Sequence, residues 1–192
     1  VFIPMGLALF AALTESQEKK AGNYRSLRAR DISPARLWIA KVIIMGCHTL
    51  MSTLVLIGAT VISGLITGGG SIPWFKIIAG GFTTWIVSLA IIPLQLWIAT
   101  WKGTFASMTM GFLGLIAGVI AAAGPYWIYV PWSWPTRLMS PIIGVHPNGT
   151  LLESTSPLLN ASVIPQGIII SIIFLIILTL ITAVWFNKKE VK

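Results

Sequence analysis

Acidic side chains are scarce in this chain: five Asp and Glu among 192 residues, against thirteen Lys and Arg. Only 9% of residues are charged and 56% are apolar, where a soluble domain carries about 25% charged residues. That shortage excludes a soluble globular domain, and a mean hydropathy of +0.88 points to an integral membrane protein. Cysteine is nearly missing too. Cys47 alone excludes an intrachain disulfide framework and a Cys-cluster metal site. No G-x-x-x-x-G-K-S/T run occurs, and Gly68-Gly69-Gly70-Ser71 has no lysine, so nothing here can cradle a nucleotide phosphate. Of two histidines only His48 falls in an apolar run, where a lone His reads as a packed or hydrogen-bonded residue rather than a ligand. The apolar runs contain no Asp or Glu and no paired acid and base. A membrane enzyme and a proton-coupled transporter are therefore weak readings, and no catalytic or metal-binding residue is expected.

What the chain has is long apolar runs. Residues 1–14 read as the end of a span: at 1.5 Å per residue they reach about 21 Å, short of the roughly 30 Å hydrocarbon core. The first residue is Val1, and residues are expected before it. No basic region or cleavage pattern suggests a signal peptide. Four further spans are predicted over residues 34–66, 73–101, 104–123 and 167–186. Ser33-Pro34 opens the first of these well, because Ser caps a helix and Pro suits its first position. Pro93 should kink the second and free the carbonyl of Leu89. Residues 124–166 form a long connection, and 187–192 a short tail. The whole is read as a single transmembrane domain.

Eleven of the thirteen Lys and Arg fall on one side of this alternation, leaving only Lys76 and Arg137 on the other. The positive-inside rule makes the richer side cytosolic, together with the C-terminus. The net charge of +8 is thus better explained by membrane topology than by nucleic-acid binding. Residues 15–33 then form a cytosolic loop whose Glu15–Asp31 stretch holds eight charges in seventeen positions. Ala21, Tyr24 and Leu27 recur there at helical spacing, with Arg25 and Arg28 beside them and Glu15 and Glu18 ahead. Two readings stand: a helix lying on the lipid surface, or a short helix that docks into a cytosolic partner and transmits its motion.

Glu18, Lys20-Ala21-Gly22-Asn23-Tyr24, Leu27, Arg36 and Ala40-Lys41 resemble the first cytoplasmic loop of ABC-2 type permeases. More narrowly they are similar to the lantibiotic-immunity branch, to its MutG/EpiG-like subunits more than its MutE/EpiE-like ones. Arg137-Leu138-Met139 followed by Gly144-Val145-His146-Pro147-Asn148-Gly149 is a second match. The resemblance implies an all-α permease half of a type V ABC exporter, with six transmembrane helices in the full chain and about five visible here. It implies a non-catalytic subunit in a bacterial cytoplasmic membrane, paired with a second homologous permease and two copies of an ABC ATPase. ATP and Mg would bind that ATPase, and no cofactor would bind this chain. The pump would expel a cationic antimicrobial peptide. Glu15, Glu18, Gly22, Asn23, Tyr24, Arg25 and Leu27 would form the ATPase-coupling element. An exporter of another drug, lipid or polysaccharide is the nearest rival, and a channel-like scaffold a more distant one.

Two further patterns remain. Ser107, Gly111, Gly114, Gly118 and Ala122 make a small-residue stripe on the 104–123 helix, suited to close packing on a helix of this chain or on the partner permease. Trp127, Trp132 and Trp134, with Arg137 nearby, suit either an interfacial anchoring belt or a surface that handles the peptide. ABC-2 relatives place a re-entrant helical hairpin in this region, and residues 137–145 are the candidate.

Overall fold

A computed structural model describes residues 2–22, 32–68 and 71–189. The first helix, α1 (Ile3–Lys20), continues six residues past the expected end of the span. Gln17, Glu18, Lys19 and Lys20 are good helix formers, and Glu15 and Glu18 gain partners inside the bundle. The helix gives out at Ala21 and Gly22, where Gly22 takes φ 100°.

Helix α2 (Pro34–Thr67) starts where Ser33 accepts a hydrogen bond from the Arg36 N–H at 3.4 Å. Its buried residues, Trp38, Lys41, Val42, Met45 and Thr49, lie on one face and in its first half. Helix α3 (Trp74–Ser88) passes through a single 3₁₀ turn at Leu89–Ile91 into α4 (Ile92–Lys102). Pro93 explains the turn: it cannot donate into the α-helical ladder, and the tighter winding lets the Ile92 N–H bond the Leu89 carbonyl. Gly103, at φ 90°, reverses the chain in one residue into α5 (Thr104–Ala122).

The connection after α5 folds back onto the bundle. Two 3₁₀ turns, Pro125–Tyr129 and Pro131–Ser133, lead into α6 (Trp134–Ile143). This helix starts three residues before the expected 137–145 segment and stops at Gly144, φ 74°. An isolated bridge between Val145 and Leu151 closes the turn that follows. The last helix, α7 (Val163–Lys188), begins four residues earlier than the sequence pattern suggests.

Helix α1 packs on α4 and α5, α2 on α3 and α7, and α6 on α3 and α7. One core joins Leu7, Ala11, Trp38, Val42, Ile92, Leu96 and Phe186. The other joins Val87, Ala90, Trp127, Trp134, Leu138 and Val163. The outside is apolar, with Val55, Ile66 and Ile120 more than 70% exposed. Among the described residues four helical stretches are long and apolar enough to cross a membrane: Pro34–Thr67, Trp74–Lys102, Thr104–Ala122 and Val163–Lys188. An all-helical exterior of this kind suits a bilayer, which leaves no backbone group to be satisfied by water.

Candidate functional site

The end of the bundle where α1 stops carries a buried polar cluster. Glu15 is 1% exposed, and its Oε2 accepts a hydrogen bond from Thr100 Oγ1 of α4 at 3.0 Å. The Thr100 carbonyl in turn accepts from Lys189 Nζ, just past α7, at 2.8 Å. Lys189 Nζ also lies 5.5 Å from the Trp185 ring centre. One turn beyond Glu15, on the same face of α1, Glu18 Oε1 sits 3.5 Å from Lys41 Nζ of α2. Glu15, Glu18 and Lys189 all act electrostatically on Lys41. Two carboxylates and two ammonium groups therefore balance one another where single charges would be costly.

Aromatic packing backs this cluster. Trp38 Nε1 donates to Thr182 Oγ1 at 2.8 Å, linking α2 to α7. The Trp38 ring lies 4.9 Å from Phe186 and meets Trp185 edge-on at 6.3 Å. Trp97 of α4 meets Trp185 at 6.2 Å and stacks on Trp101 at 5.2 Å. The result is a plate of α1, α2, α4 and α7 held together at one end by charge pairs and indoles.

The structure separates the residues expected to couple to a partner. Glu15 and Glu18 point into the bundle and hold the plate. The apolar runs read as free of Asp and Glu; Glu15, one residue past the first run, is nevertheless buried, because α1 runs on and delivers that side chain to Thr100. Gly22 lies just beyond the helix end. Asn23, Tyr24, Arg25 and Leu27 lie outside the described residues. The sequence reading missed Thr100, Lys189, Trp38 and Thr182 as parts of the site. For Thr100, Trp38 and Thr182 the only local signal is a polar or indole group in an otherwise apolar helix, and Lys189 reads as one of a basic pair at the end of the last helix.

The small-residue stripe is covered from within the chain. A Cβ on Gly111 would fall 2.5 Å from Ala8 Cβ and 3.0 Å from the Pro4 carbonyl, so α1 presses on α5 backbone there. Ser107 donates to the Ala8 carbonyl at 3.1 Å and to Gln95 Oε1 at 3.3 Å. Gly114 and Gly118 receive Trp132: a Cβ on Gly118 would meet the Trp132 carbonyl at 2.6 Å, and one on Gly114 its indole ring.

Three more residues of the 124–162 connection turn inward. Trp127, Trp134 and Arg137 are buried, whereas a belt would expose its rings. Trp134 Nε1 donates to the Ile128 carbonyl at 3.2 Å, and Arg137 Nη1 to the Leu158 carbonyl at 3.0 Å. The guanidinium also faces Trp127 at 5.9 Å. The exposed rings of this stretch are Tyr126 and Tyr129, 69% and 80% exposed.

Against this geometry, residues 1–118 match the family model described as ABC-2 family transporter protein. The chain belongs to the ABC-2 transporter family. Comparison with curated proteins and with solved structures gives no match. As an ABC-2 permease it is a multi-pass membrane subunit of a transporter, a family that works with an ABC ATPase. The matched stretch includes α1 through most of α5, and so every element of the polar cluster except α7 and Lys189.

Proposed function

We propose that this ABC-2 permease is the membrane subunit of a bacterial exporter that expels a lantibiotic or similar cationic antimicrobial peptide, conferring self-immunity. It lies in the cytoplasmic membrane with the cluster end and the C-terminus in the cytosol. The charge asymmetry of the sequence supports this orientation. A second homologous permease and two ATPase copies complete the pump, and ATP with Mg binds the ATPase alone.

The observation that carries the coupling reading is the buried tie at the end of α1. Residues 21–31 emerge from a helix whose last two turns are fixed to α2 by Glu18–Lys41 and to α4 and α7 by Glu15–Thr100–Lys189. A push on that loop therefore moves four helix ends together instead of fraying one. Separating these groups would leave charges without partners at a largely buried place, which favours movement of the plate as one piece. Tyr24 and Leu27 would seat in the ATPase, with Gly22 providing the turn between helix and loop.

The test is Tyr24→Ala in cells that express the whole pump, reading peptide resistance and co-purification of the ATPase. The expected result is loss of resistance, with the ATPase either released or bound but unproductive. Arg28→Gln combined with Arg30→Gln should cost less. Normal pumping by Tyr24→Ala, with activity abolished in the Arg pair, would make residues 21–31 a lipid-surface helix. Unchanged peptide sensitivity on deleting the intact pump, with altered export of a lipid or polysaccharide, would replace the peptide as cargo.

A further inference from the structure

At the end of the bundle opposite the polar cluster lies an apolar groove of about 1030 Å³, as large as the upper range of ordinary ligand sites, roughly 300–1,000 Å³. Its walls come from the first half of α1, from α2 between Thr49 and Thr60, from α3 and from α6. The turn at residues 145–149 closes its mouth.

Its chemistry is selective. Thr49, Ser52, Thr53 and Thr60 line the α2 wall, yet each hydroxyl donates to a carbonyl of its own helix at 2.8–3.0 Å. The wall therefore behaves as an apolar surface and suits hydrocarbon better than a peptide or sugar polymer, whose polar groups need partners. Lys76, His146 and Asn148 also line the groove, and on α3 so does Thr84, whose buried hydroxyl has no hydrogen-bond partner among the described residues. Among the described residues the lining holds no carboxylate, and Lys76 is its one lysine or arginine. A cationic ligand would meet like charge there, and an anionic headgroup would meet Lys76.

The geometry points to a phospholipid with an anionic headgroup as the occupant, its tails between α1, α2 and α3 and its phosphate at Lys76. The most apolar stretch of α2 is only 6% buried by the described residues, which leaves this wall of the groove open to an entry path from the bilayer. The lysine stem can lie along the apolar rim and keep its ammonium at headgroup level. This site is independent of the peptide-export reading, since it needs only a membrane-embedded chain.

The experiment titrates phosphatidylglycerol or phosphatidylcholine into the delipidated permease–ATPase complex and counts bound lipid by native mass spectrometry. One cation at a headgroup is worth about fivefold in binding, so phosphatidylglycerol should be held about fivefold more tightly. Lys76→Gln, at an exposed position, should erase that preference and leave phosphatidylcholine binding unchanged. Thr53→Trp should lower retention of both lipids, whereas Leu180→Trp, on the outward face of α7 and 56% exposed, should change neither. Equal binding of the two lipids, or a preference that survives Lys76→Gln, overturns the proposal. So does a cross-link from Ser52→Cys to a helix of the partner permease, which would show protein in the groove. Competition by a cationic peptide that Thr53→Trp abolishes would assign the groove to the peptide and overturn it equally.

Discussion

Lys41→Met is the sharpest perturbation of the plate. At 3.5 Å from Glu18 Oε1, and with an effective dielectric of about 20, the Coulomb attraction is about 5 kcal/mol. Desolvation offsets much of it, and what a variant reads is the cost of leaving the other charge behind, roughly 3–5 kcal/mol for a buried pair. The Glu18 side chain keeps 24% of its surface exposed and Lys41 only 10%. We therefore take the low end, about 3 kcal/mol. For a chain of this size each kcal/mol moves the melting temperature by about 2–4 °C, so Lys41→Met should melt about 6–12 °C lower. Glu18→Gln should lose less, because a neutral amide can still accept from the lysine. The double variant decides the matter. With both charges gone, neither is stranded, and stability should return most of the way to wild type. The assay is thermal unfolding of the purified permease–ATPase complex in detergent at low and high salt. Single effects below about 1 kcal/mol that vanish with salt, or single effects that simply add in the double variant, would describe an exposed pair and refute the buried tie.

Thr100→Val should cost about 1.5–3 kcal/mol, because it removes the hydroxyl that donates to the Glu15 carboxylate; thermal unfolding of the same complex checks it. Gly111→Val should lower folded yield in membranes, since the new side chain meets Ala8 and the Pro4 carbonyl, whereas Gly6→Ala, with open space around it, should be mild. Trp134→Phe should lower stability by about 1 kcal/mol through the lost bond to the Ile128 carbonyl. Trp132→Phe should cost only the packing of the smaller ring against Gly114 and Gly118 and no hydrogen bond, as its buried Nε1 has no partner among the described residues; loss of peptide resistance with normal protein level would instead give that N–H a role in handling cargo. Gly22→Val should impair pumping at normal protein level, because a β-branched residue is strained at φ 100°; wild-type resistance would remove the turn from the coupling scheme.

The all-helical membrane architecture is legible in the sequence because apolar runs of spanning length have few other solutions. Punctuation was legible in part: Ser33-Pro34 opens a helix by capping, and Pro93 does disturb its helix, but through a 3₁₀ turn in which the Leu89 carbonyl, expected to be freed, accepts from the Ile92 N–H. The polar cluster was not legible, and the reason is sequence distance. Glu15 finds Thr100, Thr100 finds Lys189, and Glu18 finds Lys41 only after the helices pack. Each charge alone reads as a solvated loop residue. Acidic and basic residues after Thr14 look like exit into water, yet α1 continues to Lys20 and some of them are buried by pairing. Arg137 and the indoles near it suggested an interface for the same reason, and partners elsewhere in the 124–162 connection bring them inside.

Helix α2 has a further consequence. Its 34 residues make a rod of about 51 Å, and the stretch from Val42 to Thr67, free of Asp, Glu, Lys and Arg, alone extends about 39 Å. The hydrocarbon layer is about 30 Å thick. Among the described residues none of α2 past Thr49 is fully buried, and that half touches α3 where Thr53 and Ile57 lie against Gly81. Beyond those contacts the bilayer adds its own influence on inclination, at a cost of a fraction of a kcal/mol for each ångström of mismatch. Membrane thickness thereby becomes a physical variable of this subunit: shorter acyl chains incline α2 further and longer ones bring it upright, with no change in sequence.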